Sequence, residues 1–385
     1  MRKILVRGPA LSQSGYGEHC RSVLRALKST EDNDIYLVNV GWGETGWIYE
    51  DSEERRWIDA IILKTAQSLG EVEYDLSVQV QLPIEWQTLA PVNIGVTAGV
   101  ETDTIPEDWA RACATVDSII VPSQHTKDGF HKHPEVQEKI NVIGYPVRKI
   151  KKTPLNLDLS TKFNFLTVAQ WSPRKNIEQL ISAFIQEFMN EDVGLVLKLG
   201  LKGGSEIDRY YTKERLDTFL AGIPQTKCKI YLLHGSLTES EMSGLYQEEA
   251  ISAYVSTAHG EGFGLPTFEA ATHGLPVVAP NWGGVTEYSS NKSSVLISEI
   301  DYTLENVKEG QAWNGVLETT AKWCFPNTSS VRAQMRDVYN DASTAQGNAK
   351  KLKTHLSKKF SNKTINKMYN DIITQTLKEK QNETE

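Results

Sequence analysis

Two carboxylates bracket a glycine turn in the C-terminal half of this chain. Glu261 precedes Gly262-Phe263-Gly264-Leu265-Pro266, and Glu269 follows, with seven residues between the two glutamates. Glycines let backbone N–H groups approach a ligand closely. Pro266 suits the first turn of a helix, where no N–H donor is needed. A turn of this kind at a helix N-terminus presents unpaired N–H groups and the positive end of the helix dipole, which suits phosphate. A carboxylate is a poor phosphate ligand and a good acceptor for sugar hydroxyls. One on each side of a phosphate cradle therefore fits a ligand built of a sugar, a diphosphate and a second sugar. A plainer reading stays equally open on these residues alone: Glu269 complements the helix dipole and Glu261 is a solvated loop charge.

The elements that must position these groups follow from the pattern around them. Residues 267–272 predict a helix with Glu269 in its first turn, stopped by His273-Gly274. Residues 275–279 predict a short buried strand, and a further helix begins at 283–285. Upstream, residues 163–169 predict a strand, followed by Gln170-Trp171-Ser172-Pro173-Arg174-Lys175-Asn176 and a helix over 177–189. Asn176 is a natural N-cap. Arg174 and Lys175, just ahead of it, form a basic pair suited to a diphosphate. Strands at 195–199, 229–233 and 253–256, with helices at 214–220 and 239–247, complete this half; the strand at 229–233 ends at His234.

The N-terminal half opens with a strand at 3–7, a glycine loop at 8–17 and a helix at 18–28. This is the first unit of a nucleotide-type α/β fold, although Gly15-Tyr16-Gly17 is short of the full dinucleotide fingerprint. Strands follow at 35–40, 74–80, 93–99, 117–121 and 140–143, with helices at 58–69 and 107–113. The strand at 93–99 runs into Glu101 and Asp103, at the end where such folds bind ligands. Residues 41–57 hold three tryptophans, which fit either a loop anchored by its own rings or faces that stack on sugars. His125, His131 and His133 lack a carboxylate cluster at useful spacing, so no metal site is expected. A polar linker at 148–161 separates the halves, and a new opening strand follows it. The expected domains are therefore 1–150, 151–350 and a helical segment at 351–385.

Composition narrows the class. The chain has 385 residues, 39% hydrophobic and 23% charged, with a net charge of −8. This is ordinary for a soluble globular protein, and the net charge makes no case for nucleic acid. The 4 cysteines are scattered without a C-x-x-C pair, which suits a reducing, cytoplasmic location. No apolar run is long enough for a membrane span, and the N-terminus lacks a signal-peptide core. The lysine-rich tail carries Ile365, Met368, Tyr369, Ile372 and Ile373 at helical spacing, with Ser361 as its cap. Its lysines fit either a solvated face or a peripheral contact with an anionic membrane.

The run E-G-F-G-L-P-x-x-E, then A-x-x-x-G-x-P-V-V-A, then G-G-x-x-E resembles the signature of retaining GT-B glycosyltransferases of family 4. The resemblance implies two facing Rossmann-like domains with a C-terminal crossover helix. It implies a nucleotide-diphosphate sugar (UDP-, GDP- or ADP-linked) as donor and a sugar, glycan or lipid-linked acceptor, with no cofactor and no metal. By position, Glu261 would lie by the donor sugar, Glu269 would bind the ribose, and the amides of Gly262, Phe263, Gly264 and Leu265 would hold sugar and phosphates. Lys175 matches the family lysine, while Gln170 stands at the family's arginine position and Arg174 would supply that charge. Gly15, Tyr16 and Gly17 resemble the donor-phosphate loop, and His234 lies where relatives hold the base. The common histidine near the strand end at 93–99 is missing, leaving Glu101 and Asp103 as acceptor-side candidates. A nucleotide-sugar binding protein without catalysis, or another GT-B enzyme such as a sugar-nucleotide epimerase, would share much of this pattern.

Overall fold

The computed structural model describes residues 1–68 and 70–384. Leu69 and Glu385, which end two of the stretches read as helical, lie outside the described residues. The chain forms two compact units: residues 1–146, 312–321 and 360–385 in the first, and 147–311 with 322–359 in the second.

The first unit is a parallel six-stranded sheet, β1 (Arg2–Gly8), β2 (Asn33–Asn39), β3 (Leu76–Val80), β4 (Val92–Val96), β5 (Ser118–Val121) and β6 (Ile140–Val142), in the order β2-β1-β3-β4-β5-β6. Every residue of β3 and β4 is buried, as continuous runs in a doubly covered parallel sheet should be. The helices are α1 (Gly15–Lys28), α2 (Glu53–Gln67), α3 (Glu107–Ala112), α4 (Gln124–Asp128) and α5 (Pro134–Gln137). Helix α1 starts earlier than the pattern implied, so Gly15, Tyr16 and Gly17 form its first turn and not a loop. Ser14 caps it, its Oγ accepting from Gly17 N at 3.1 Å. A Cβ on Gly17 would lie 2.0 Å from the Ser12 carbonyl oxygen, so this glycine is needed for packing.

The second unit repeats the plan. Strands β7 (Phe163–Gln170), β8 (Val193–Gly200), β9 (Lys229–Leu233), β10 (Ile251–Val255), β11 (Val277–Pro280) and β12 (Ser298–Ile300) form a parallel sheet in the order β12-β11-β10-β7-β8-β9. An antiparallel pair, β13 (Tyr302–Asn306) and β14 (Lys322–Pro326), lies beside it in the chain. The helices are α6 (Ile177–Phe188), α7 (Glu206–Leu220), α8 (Glu239–Leu245), α9 (Leu265–His273), α10 (Thr328–Asn340) and α11 (Ala342–Lys359). Helix α6 buries Leu180, Ile181, Phe184 and Phe188 against Phe165, Leu195 and Leu197. Helix α7 begins at Glu206 and not near 214, capped by Ser205. Its first half exposes Ile207, Tyr210 and Tyr211, so no inward apolar stripe announced it. The helix read at 283–285 is a single 3-10 turn, Gly283–Glu287.

The tail is two helices. Helix α11 ends at Lys359, and α12 (Asn362–Thr384) restarts after Ser361, whose Oγ accepts from Thr364 N at 3.1 Å. Helix α12 belongs to the first unit. Tyr369 Oη meets His19 Nε2 at 3.2 Å, Asn370 donates to Ala26 O at 3.0 Å, and Lys380 donates to Asp117 at 2.9 Å. The chain therefore returns to the first unit through its last helix.

Candidate active site

The second unit gathers Arg174, Lys175 and Glu261. Arg174 Nη1 lies 3.0 Å from Glu261 Oε2 and also donates to the Gly260 carbonyl at 2.8 Å. Lys175 Nζ pairs with the other carboxylate oxygen, Glu261 Oε1. The Lys175 and Glu261 side chains each keep 13% of their exposure and Arg174 keeps 22%, so the cluster is largely desolvated with one side open. Burial alone would raise the Glu261 carboxyl; the Lys175 and Arg174 charges outweigh it and hold the group below the usual carboxylate range.

Backbone bonds fix this cluster. His259 N donates to Arg174 O at 2.8 Å, and Thr257 Oγ1 donates to Asn176 O at 3.0 Å. The loop after β7 is thereby laced to the loop after β10. Asn176 precedes α6 as expected, but its side chain caps nothing. Its backbone is left-handed, φ 53°, and its amide donates to Gln179 and to Thr257 O. Asparagine tolerates this conformation better than most residues, and the twist turns the basic pair back toward Glu261.

The glycine turn then enters α9. Gly264 sits at the N-cap with φ 82°, a conformation that favours glycine, and an added Cβ would meet Tyr288 Oη at 2.9 Å. Tyr288 Oη donates to Gly264 O at 3.0 Å, and Gly284 N donates to Glu261 O at 2.7 Å. The ring of Phe263 packs against Phe268 and Tyr288, with centroids 5.0 and 5.1 Å away. The helix begins at Leu265, which moves Glu269 from the expected first turn into the second. Its carboxylate accepts from Tyr246 Oη at 3.0 Å. Burial first, and then the Glu269 charge, push the Tyr246 hydroxyl well above its ordinary value, so it stays a donor.

Two further candidates lie at neighbouring strand ends. Gln170 ends β7, is exposed, and donates to Leu201 O at 2.6 Å. His234 follows β9, and its buried Nε2 meets Asp208 Oδ2 at 2.6 Å. Asp208 also accepts from Leu201 N at 3.2 Å and Lys202 N at 2.9 Å. Asp208, Tyr246 and Tyr288 hold candidate site residues, and no local pattern marks them: each meets its partner from a different element.

The remaining candidates belong to the first unit. Gly15 is exposed at the start of α1. Tyr16 turns inward; its Oη meets Thr97 Oγ1 at 2.8 Å and accepts from Ala98 N at 3.2 Å. Glu101 and Asp103 lie partly exposed in the segment after β4. Of the three tryptophans, Trp42 stacks on Tyr16 at 4.0 Å and Trp57 lies under Lys28 at 4.3 Å, whereas Trp47 is 55% exposed. His133 pairs with Glu107 at 3.3 Å. Among the described residues no group of three or more His, Cys, Asp or Glu side chains is placed to hold a metal. No helix among them is long and apolar enough to cross a membrane.

Comparison with known proteins bears on this geometry. Residues 150–302 match the family model for glycosyl transferases group 1. A sucrose synthase of Melioribacter roseus is 31% identical over 140 residues, which cover 35% of this chain and 18% of that protein. The match thus spans under a fifth of the curated relative's length. The structure of HepE from Anabaena with UDP and glucose superposes with a TM-score of 0.65 at 16% identity, covering 97% of this chain and 100% of that one. Sucrose-phosphate synthase from Thermosynechococcus elongatus gives 0.64 at 14% identity, covering 97% and 99%. A glycosyltransferase from Rickettsia africae gives 0.58 at 15%, covering 97% and 98%. These structural likenesses concern the fold. The chain as a whole thus has the GT-B fold, and residues 150–302 within it match the group 1 glycosyl transferases.

Proposed function

We propose that the chain transfers a hexosyl group from a UDP-sugar to a glycan or lipid-linked acceptor, with retention at the anomeric carbon and without a metal. The observation that carries this reading is the convergence of Arg174 and Lys175 on Glu261, beside a glycine turn that opens α9. The HepE structures with UDP and with UDP-glucose support uracil as the base.

In this reading the second unit is the donor domain and the first the acceptor-side domain. The donor diphosphate lies against Arg174, Lys175 and the N–H groups of 262–265. Glu261 remains charged at neutral pH, orients both cations and accepts from the donor sugar's hydroxyls. Glu269, held by Tyr246, accepts from the ribose hydroxyls. The segment at His234 receives the base, and the exposed start of α1 at Gly15, with Tyr16 and Gly17, offers a further phosphate-binding turn. The acceptor hydroxyl attacks the anomeric carbon from the face that UDP leaves. The bond between that carbon and the diphosphate oxygen breaks, and the departing phosphate takes the hydroxyl's proton. Charge grows on the diphosphate as it departs, and one well-placed donor to it contributes about 3–4 kcal/mol to lowering the barrier.

Gln170 favours a second reading, a binder without catalysis. Its neutral amide occupies a strand end beside the basic loop and is engaged by Leu201 O. Incubation with UDP-glucose, UDP-galactose and UDP-N-acetylglucosamine in EDTA separates the two. The expected result is UDP release from at least one donor. UDP binding without release supports the binder, and release that requires added magnesium or manganese contradicts the metal-free mechanism. Absence of UDP binding overturns both.

A further inference from the structure

Residues 41–52 of the first unit form a strap with a chemistry the donor site does not use. The strap runs antiparallel to residues 11–13, with Ser12 opposite Trp47. Gln13 N donates to Gly46 O at 2.8 Å, Ile48 N donates to Leu11 O at 2.8 Å, and Ser12 Oγ meets Thr45 Oγ1 at 2.6 Å. Arg55 holds Ile48 O from the first turn of α2. These bonds fix the segment, and exposure alternates along it: Trp47 is 55% exposed, Ile48 is half-buried and Tyr49 is 61% exposed. Two large rings thus stand on one side of an extended segment, two residues or about 7 Å apart. Trp42, five residues earlier, is spent on Tyr16, so the strap is anchored by one ring and displays others.

Location and charge narrow what the rings are for. The strap follows β2 and is bonded to the segment after β1, while β3 lies on the other side of β1. Strand order reverses at β1, and ligands of open α/β sheets bind outside the strand ends at such a point. Glu44, Glu50, Asp51 and Glu53 are exposed around the rings. Asp51 meets Arg56, and Arg55 is engaged by Asp59 and Ile48 O, so the nearby cations are already engaged. An acidic rim disfavours phosphate, sulfate and anionic lipid. Carboxylates accept from hydroxyls, and ring faces stack on the apolar faces of sugar rings.

We infer that Trp47 and Tyr49 form a stacking platform for an uncharged oligosaccharide, the acceptor chain of the proposed transfer. The choice of an acceptor role rests on that proposed reading; saccharide binding at the platform does not. Its geometry favours a chain of at least two sugar units, one for each ring.

The experiment titrates the full chain, without donor, with pentasaccharides of glucose, galactose, mannose and N-acetylglucosamine, following tryptophan fluorescence and calorimetry. A sulfated pentasaccharide and a lysine-rich peptide run alongside, and UDP affinity and melting temperature are measured for every variant. The expected result is binding of at least one neutral pentasaccharide, weakened tenfold or more in Trp47→Ala and in Tyr49→Ala, and largely kept in Trp47→Phe. UDP affinity should change less than twofold, and loss of UDP binding in the parent chain would count against the donor reading and not against the platform. No neutral pentasaccharide bound at millimolar concentration, or binding indifferent to both alanine variants, overturns the inference. So does preferred binding of the sulfated sugar or of the lysine-rich peptide.

Discussion

The two sheets place different chemistry on similar backbones. At the strand ends of the first unit stand Tyr16 and Thr97, tied to each other by a neutral hydrogen bond, with aromatic rings beyond them. At the corresponding ends of the second stand Arg174 and Lys175 on Glu261, and Glu269 on Tyr246. A parallel sheet supplies rigid strand ends in both cases; the loops decide what is presented there. Glycine makes the contrast sharpest. Gly264 adopts a left-handed conformation where α9 begins, whereas Gly17 is required because α1 presses against the Ser12 carbonyl.

The contrast breaks most readily at the basic pair. Lys175→Ala should lower donor turnover on the order of 100- to 1000-fold, the effect of removing one transition-state donor. Arg174→Ala should be damaging as well, since its guanidinium bonds both Gly260 O and Glu261. Steady-state kinetics beside melting curves check this. Silence at both positions would remove the diphosphate from this loop.

Next in size is Gly17→Ala, where the added methyl meets a backbone oxygen that cannot swing aside. A loss of about 1–3 kcal/mol or more in urea unfolding is expected from overpacking, while Gly15→Ala, at an exposed position, should stay near neutral. Equal tolerance of both would contradict the packing role of Gly17.

Glu269→Ala should weaken UDP binding by about 1.5–3 kcal/mol, the scale of a hydrogen bond to a charged group. Tyr246→Phe removes only the hydroxyl that holds Glu269, so its effect on UDP affinity should be smaller. Calorimetry compares the two. Unchanged affinity in Glu269→Ala, with the fold intact, would separate this glutamate from the nucleotide.

How much of this was legible follows from how local each signal is. The glycine turn, its flanking glutamates and the basic pair lie in continuous runs, and both sheets announce themselves by buried apolar strands. Local pattern misplaced what distant partners decide. Glu269 moved one turn along because Gly264 and Tyr288 fix where α9 begins. Asn176 looked like a cap, yet Thr257 from the next loop claims its side chain. The first half of α7 was missed because its rings face outward.

A separate effect concerns pH. His19 is buried against Tyr369 of α12, and burial pushes its imidazole down to about 3, with the Glu18 charge offsetting only part of the shift. The unfolded chain takes up a proton near the ordinary value of about 6.5, while the folded chain does not until far lower pH. Stability therefore falls as pH drops through this window, by up to about 1.4 kcal/mol per pH unit from this group. His19→Gln should flatten the acid limb of a melting-temperature profile. An unchanged slope would assign acid sensitivity to other buried groups.

The central claim is that the second unit holds the nucleotide-sugar at the loops after β7 and β10. Hydrogen exchange with and without saturating UDP tests it most directly. The account predicts slowed exchange at residues 172–177 and 260–269, with residues 41–52 unchanged. Protection confined to residues outside 147–311, with none at those two loops, would contradict it.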